Sequence, residues 1–511
     1  MNDWTSGYRA DINYTYGYYD ILNPLRAKLS MLKAGLACPN FETACELGFG
    51  YGLSINMHAA ASSTQWWGTD FNPVQAAFAQ KLAATSGSGA RLFDQSFAEF
   101  VNRPDLPEFD FIGLHGVWTW ISGENRSHIL DFIRRKLRPG GVVMASYNTL
   151  PGWSAHIPLR ELMMRHVRTT GSPSVGIEQQ IKNALDFADK LLATEPAYLA
   201  AYPGMAKALA DLRKMNLNYV AHEYFNRDWM PMHFGEIADF MATAKLEFAC
   251  SARHLEQIPG LRLKPQQLAL VDGLSDKVMK ESTRDLLCNS GFRTDLWVKG
   301  AQRLSPQQLA QDASGLMLAL ARPAKTIPLE FKLPTGKVSL RPEVYQPIMA
   351  LLGEHGPKSI GQIMSSSEGK GLSVASILDA ATVLCGAGFA HVVQELPANS
   401  PVFESSKKLN ADILARFSAS EEINHMASPL TGGAINADRM TLLFMQASLA
   451  GKTNPKEMAK FAWAELSKRG HSVIANGKRM ETAKDNLEQL NTIAQHMQTE
   501  TLPILRMLKV F

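Results

Sequence analysis

The residues best equipped for chemistry form the run Glu46-Leu47-Gly48-Phe49-Gly50-Tyr51-Gly52. Three glycines at alternate positions make a tight turn whose backbone approaches a ligand without Cβ clashes. A helix opening there would turn its N-terminal N–H groups toward the same ligand. The dinucleotide fingerprint needs its third glycine three places after the second. Here that place is Leu53, and the third glycine comes two after the second. Two acids frame the loop. Glu46 precedes it, where a carboxylate helps hold an ammonium group. Asp70 follows in Trp66-Trp67-Gly68-Thr69-Asp70-Phe71-Asn72-Pro73, and an acid about 20 residues beyond a glycine loop can accept both ribose hydroxyls. A pyrophosphate suits this acid rim poorly. A ligand with an ammonium, a sulfonium and free ribose hydroxyls suits it well, and S-adenosyl-L-methionine is such a ligand.

Positioning these groups requires a strand before the loop and a helix after it. From 41 to 148 short apolar runs (Thr43–Leu47, Gln65–Thr69, Ala90–Phe93, Phe109–Leu114, Gly141–Ser146) alternate with helical stretches near Gly52–Ala61, Pro73–Ala84 and Arg126–Leu137. This alternation predicts a mostly parallel sheet with helices on both faces. A tyrosine-rich segment (Tyr8, Tyr14, Tyr16, Tyr18, Tyr19) and a helix at Pro24–Lys33 come first. Past Trp153 the strands nearly stop, and Ile177, Ile181, Leu185, Ala188 and Leu192 repeat at helical spacing. Helix is expected to about residue 325. Two prolines mark Arg322–Pro328 as a linker. From Pro342 the pattern reads helix, helix, helix, strand, and a helical tail runs from about Ala437 to Phe511.

The chain has 511 residues, enough for three domains at about 150 each. Its 46% apolar and 20% charged residues exclude a mainly disordered or fibrous protein. Lys plus Arg is 52 against 48 Asp plus Glu, a net +4 that gives no whole-chain field for nucleic acid or an anionic membrane. Cys38, Cys45, Cys250, Cys288 and Cys385 form no C-x-x-C or Cys/His cluster, so no metal site or disulfide framework is expected, and a reducing compartment is. Met1-Asn2-Asp3-Trp4 carries no signal-peptide pattern. The longest apolar stretch, roughly Leu372 to Val393, is broken by Asp379, Gly386, Gly388 and His391, whereas a bilayer span needs ~20 apolar residues. A cytoplasmic protein without a membrane span is expected. The basic stretch with Lys452, Lys456, Lys460, Lys468, Arg469, Lys478 and Arg479 reads as a solvated helix face, with an acidic protein partner as the weaker alternative; a homodimer is a separate open expectation.

The segment from Glu46 to Gly141 resembles the Rossmann-like S-adenosylmethionine-dependent methyltransferases. The resemblance implies that Glu46, Leu47, Gly48, Phe49, Gly50 and Gly52 lie under the methionine moiety. It implies that Asp70 binds the ribose, with Phe71 beside the adenine. Ser96 and Phe97, after the third strand, would contact the adenine. His115, Gly116 and Val117 would begin the cofactor-facing loop, and Leu137–Gly141 would be the turn before the fifth strand. Phe111–Trp120 and Ala145–Trp153 look like bacterial protein lysine methyltransferases that carry a methyltransferase regulatory domain. Tyr219–Asn226 and Arg284–Trp297 are similar to that regulatory domain, and the last third resembles the winged-helix-like C-terminal part of the same proteins. The implied fold class is α/β. A Rossmann-like methyltransferase domain with an N-terminal cap segment spans 1–170, a mainly helical regulatory domain 171–327, and a winged-helix-like domain with a helical tail 328–511. One departure is Asn23-Pro24, where the family often has His-Pro.

Methyl transfer to a lysine needs alignment and loss of a proton from an amine of reference pKa ~10.4. A dry aromatic slot lowers that pKa and covers cationic groups with ring faces. Trp118, Trp120, Tyr147 and Trp153 follow strands four and five on the cofactor side of such a sheet, and Tyr14, Tyr16, Tyr18 and Tyr19 are placed to close over it. Trp118 and Tyr147 are the candidate slot residues, while Trp153 reads as packing. Asn148 is a candidate for orienting the acceptor amine, with an Asx-turn as the alternative. His115 is a candidate general base, although a histidine in such a loop more often fixes backbone. His222-Glu223 lacks a second histidine and reads as packing or a domain interface. The helix Val374–Cys385 has one acid and no Lys or Arg, so DNA binding is not expected. Three functions follow: a protein lysine methyltransferase, a small-molecule O- or N-methyltransferase, or a non-catalytic sensor of S-adenosylmethionine.

Overall fold

A computed structural model describes residues 8, 16–171, 174–333, 336–417, 423–475 and 477–511. Strands Thr43–Leu47 (β1), Gln65–Asp70 (β2), Arg91–Asp94 (β3), Phe109–Leu114 (β4) and Leu137–Asn148 (β5) form the parallel part of one sheet. Parallel strands covered on both faces read as continuous apolar runs, and β4 is buried along its whole length. Its one charged residue, Asp110, is fully used. It accepts the Glu42 and Thr43 amides at 3.0 and 2.9 Å and pairs with Arg138 at 2.9 Å, tying together the starts of three strands.

Helices Pro24–Lys33 (α1), Leu53–Ala61 (α2), Pro73–Ser86 (α3), Phe97–Val101 (α4) and Gly123–Lys136 (α5) accompany these strands. Their starts follow from local chemistry. Asn72 caps α3 ahead of Pro73, Ser96 caps α4 in a reciprocal box with Glu99, and Ser122 caps α5.

Two further strands, Leu246–Ser251 (β6) and Phe292–Lys299 (β7), complete the sheet in the order β3-β2-β1-β4-β5-β7-β6, with β7 antiparallel to both neighbours. This corrects the expected border at residue 170 and adds two strands to the expected mainly helical run to about 325: the middle of the chain returns to finish the first sheet. The pattern hid β7 because it contains Arg293 and Asp295. Both are buried, and they pair with each other at 2.7 Å. The expected turn at 137–141 is the start of β5, with a register shift against β4. The helical part of the middle segment, including Ile157–Thr170 (α6) and Ile177–Leu192 (α7), packs a separate core around Met163, Leu185, Leu209 and Phe225.

Strand Met317–Leu320 (β8) pairs antiparallel with Lys358–Ser359 and Ala390–Val393. The expected linker at 322–328 therefore lies inside this unit, because β8 on its N-terminal side pairs with strands on its C-terminal side. Helices Pro342–His355, Ile360–Ser365 and Val374–Gly386 surround this small sheet around Leu318, Ile348 and Leu384. The last of these buries Ile377 and Leu384, and its Asp379 pairs with Lys33 of α1 at 2.6 Å. Helix Pro401–Phe417 lies against α2 and α3, and the tail helices join the same core, in which Leu53, Met57 and Leu82 meet Leu409, Phe444 and Leu490. That cover explains α2, whose nine residues are all buried. No described helix is long and apolar enough to cross a membrane, and no group of three metal-ligating side chains occurs among the described residues.

Candidate active site

The glycine loop leaves β1 and enters α2 through left-handed backbone: Gly50 has φ 58° and Gly52 φ 67°. A Cβ on Gly52 would lie 2.5 Å from the Ala79 Cβ, so α2 and α3 touch there. The Gly48 amide donates to the Thr69 carbonyl at 2.8 Å, which holds the loop to the end of β2. Asp70, the last residue of β2, accepts the Gly50 amide at 2.8 Å and the Asn72 amide at 2.9 Å. Glu46 is 4% exposed, and its Oε2 has no hydrogen-bond partner. Both acids line one cavity. Burial pushes Asp70 up to about 6 and carries Glu46 well above the carboxylate range, with the Asp70 charge adding to the second shift. Two buried carboxyl groups facing one space, one with an orphaned oxygen, favour a cationic ligand. The ammonium and ribose of S-adenosylmethionine fit this donor and acceptor set.

The same cavity is lined by Gly48, Phe49, Gly50 and Phe71, then by Ser96 and Phe97 at the start of α4, and by His115, Gly116 and Val117 after β4. The Ser96 hydroxyl is engaged in its capping box with Glu99. The Ser146 Oγ accepts the Gly116 amide at 2.9 Å and lies 2.9 Å from His115 Nδ1. This contact fixes the orientation of the ring, and either partner can be its donor. Burial, aided by Arg253, lowers His115 to about 4. His115 is thus a neutral ring offering an N–H.

Other expected residues lie off this wall. Leu47 is in the core with Cys45 and Leu114, and Gly52 contacts Ala79 instead. Trp118 is fully buried, edge-on to Phe240 at 6.0 Å. The Tyr147 hydroxyl donates to Asp295 on the neighbouring strand β7. Burial and the Asp295 charge raise that phenol well above its ordinary range. The Asn148 amide donates to Thr119 Oγ1 at 2.8 Å, its carbonyl accepts the Met232 amide at 3.3 Å, and its side chain is 2% exposed. Tyr147 points into packing because β5 is buried on both faces, Trp118 enters the core from the turn after β4, and Asn148 Nδ2 is buried without a hydrogen-bond partner.

The short turn Trp118–Trp120 sends Trp120 to the cavity while Trp118 enters the core. Gln75, Gln95 and Asn125 also line it, and no sequence pattern marks them. Of the N-terminal tyrosines, Tyr8 and Tyr19 reach the cavity, and the Tyr19 ring lies 3.9 Å from that of His115. Tyr16 stacks on Tyr51 at 4.3 Å, and the Tyr18 hydroxyl accepts the Ala434 amide at 2.9 Å. Tyr14 lies outside the described residues. Trp153 packs on Tyr224 and Trp229, and the His222 ring is 5.5 Å from Tyr8. Asn23 caps α1 and donates from Nδ2 to the Thr431 carbonyl at 2.8 Å, so it also tethers the C-terminal part. A second cavity, lined among others by Arg26, Arg253, Glu256 and Phe292, meets the first at Tyr19 and His115.

This strand order and this acid-framed glycine loop define a Rossmann-like S-adenosylmethionine-dependent methyltransferase. The profile described as "Methyltransferase domain" matches residues 44–141, and that described as "Predicted methyltransferase regulatory domain" matches residues 216–299. The chain belongs to the family of the uncharacterized protein sll1526 of Synechocystis sp., to which it is 36% identical over 512 residues, 99% of each chain. It is also 25% identical over 293 residues to the uncharacterized protein RP789 of Rickettsia prowazekii, covering 56% of this chain and 51% of that one. Among solved structures it resembles PKMT2 from Rickettsia typhi in complex with AdoHcy, with a TM-score of 0.68 at 18% identity over 97% of this chain and 99% of that one. The same protein without that ligand gives a TM-score of 0.65 at 17% identity, over the same shares of the two chains.

Proposed function

We propose that this methyltransferase modifies lysine side chains of a protein substrate. The observation that carries the reading is the second cavity, an open groove that reaches the wall of the cofactor cavity at Tyr19 and His115. A small acceptor would call for a closed pocket; a side chain on a polypeptide calls for a groove with a short passage at its end. The fold shared with PKMT2, a protein lysine methyltransferase by name, supports the same reading.

S-adenosylmethionine supplies an electrophilic methyl on a sulfonium. In our reading Glu46 receives its ammonium, Asp70 accepts the ribose hydroxyls, and Phe71 and Phe97 flank the adenine. Tyr19 and His115 form the passage for the acceptor amine, and Trp120 helps keep water from it. His115, neutral and of low basicity, orients rather than takes the proton. Trp118, Tyr147 and Asn148 support the site from below. We read residues 316–393 as the winged-helix-like unit, with β8 as its first strand, and the segment from 157 to 299 as regulatory. Five free cysteines support a cytoplasmic setting.

The test is transfer of a radiolabelled methyl group into a whole lysate by the enzyme and by Asp70→Ala. Label in protein, recovered as methyl-lysine and lost in the variant, is the expected result. Label confined to small molecules would replace this reading with a small-molecule methyltransferase. Cofactor binding without label in either fraction would replace it with a sensor.

A further inference from the structure

The groove beyond Tyr19 and His115 is built by three parts of the chain. The N-terminal segment gives Asp20 and Arg26, the turn after β6 gives Arg253 and Glu256, and the C-terminal part gives Leu333 and Gly386. Its charges are unevenly matched. Arg26 pairs with Asp20 at 2.9 Å, and Arg262 pairs with Glu256 at 2.6 Å. Arg253 is left over. Its nearest carboxylate is Glu256 at 3.9 Å, already held by Arg262, and its side chain is 47% exposed. The remaining titratable groups do not offset it. His254 is driven to about 3 by burial and by Arg26, His115 is held low, and the buried Tyr18 phenol is raised by burial. The groove therefore presents one unmatched guanidinium.

The position of that guanidinium fixes what it can read. Arg253 lies over the Phe292 ring at 5.4 Å, and the same ring meets His115 edge-on at 6.2 Å. Phe292 thus stands between the charge and the passage. An extended chain advances about 3.3–3.6 Å per residue, so a group on Arg253 belongs to a residue within about three positions of the one in the passage.

We infer that the acceptor segment lies along this groove and that Arg253 selects a lysine with an aspartate or glutamate within three residues of it. The inference rests on the lysine reading above. Guanidinium and carboxylate match in charge and shape, and a basic neighbour at that place would be repelled.

The test maps methyl-lysine sites by mass spectrometry after the full-length enzyme acts on a whole lysate. Wild type is compared with Arg253→Glu and Arg253→Lys, and the affinity of each for S-adenosylhomocysteine is measured by calorimetry. Wild-type sites should be enriched in Asp and Glu within three residues. Arg253→Glu should lose that enrichment and favour Lys or Arg, with acidic sites labelled roughly fivefold less. Arg253→Lys should restore it, and cofactor affinity should hold in both. Methyl-lysine sites without acidic enrichment, or enrichment that survives Arg253→Glu, would overturn this inference and leave the lysine reading standing. No methyl-lysine from the wild type would overturn both.

Discussion

The Asp70 carboxylate accepts the Gly50 amide at 2.8 Å, so the acid at the end of β2 and the middle of the glycine loop move as one unit. Asp70→Ala therefore loosens the glycine loop and, on the proposed ribose role, also removes a ligand contact. A hydrogen bond to a charged group contributes about 1.5–3 kcal/mol. Affinity for S-adenosylhomocysteine should fall by roughly ten- to one-hundred-fold by calorimetry. Unchanged affinity would remove Asp70 from the ribose position.

Asp70 also sets a pH dependence. Its folded pKa of about 6 lies above the ordinary carboxylate value because it is buried. In the ligand-free protein its contribution to stability is full below pH ~4 and is lost as the pH rises through about 6. The ionised carboxylate is the better acceptor for ribose hydroxyls. The thermal stabilisation by S-adenosylhomocysteine should therefore grow between pH 5 and 7, on the pKa shift just given. Asp70→Asn should flatten the trend, and an equally steep trend in that variant would assign it to another group.

Tyr147 donates its hydroxyl to Asp295, away from the cavity. Tyr147→Phe should cost about 1–3 kcal/mol of stability in denaturant titration. Its turnover per folded molecule should stay within about twofold of wild type. A collapse of turnover with unchanged stability would return Tyr147 to the chemistry.

Arg293 neutralises Asp295 at 2.7 Å, Asp285 at 2.9 Å and Glu281 at 2.8 Å inside the edge of the sheet. Removing one member of a buried ionic set typically costs 3–5 kcal/mol. Arg293→Met should lower the unfolding midpoint clearly at pH 8 and less near pH 5, where protonation relieves the stranded acids. A neutral effect at both pH values would show that these acids reach solvent.

Gly52 and Gly50 differ in surroundings though both have positive φ. A Cβ on Gly50 meets nothing nearer than the Gln75 amide oxygen at 3.9 Å, whereas one on Gly52 strikes Ala79 at 2.5 Å. Gly50→Ala should cost about 1–2 kcal/mol from backbone strain alone. Gly52→Ala adds an overpacking cost of about 1–3 kcal/mol by forcing α2 from α3. Melting curves of the two variants should therefore separate, and equal midpoints would refute the packing role of Gly52.

The parallel strands, the glycine loop and the acids Glu46 and Asp70 were legible in sequence because each rests on neighbours in the chain. Apolar runs end at turn residues, caps such as Asn72 and Ser122 lie beside the helices they start, and a glycine loop needs only its own residues. The buried face of β7 was not legible, since its polarity is cancelled by Asp285 and Glu281 on another element. Helix Pro401–Phe417 was missed for a related reason. Its polar positions are satisfied far away, as where Asn410 donates to the Ala427 and Val510 carbonyls.

The sequence by itself determined a Rossmann-like methyltransferase sheet and the acid-framed loop that suits S-adenosylmethionine. Strand alternation, local turns and the spacing of two acids are short-range properties. Only the tertiary structure decided which aromatic side chains line the cavity. Trp118 and Trp120 are two residues apart with equal chemistry, yet one lies in the core and the other on the cavity wall. The direction of a side chain after a strand depends on the turn that follows and on what packs beneath it. The tertiary structure also completed the sheet from residues beyond 240, placed Tyr19 against His115, and left Arg253 without a full partner. Each of these depends on contacts between segments far apart in the chain, which local sequence does not encode.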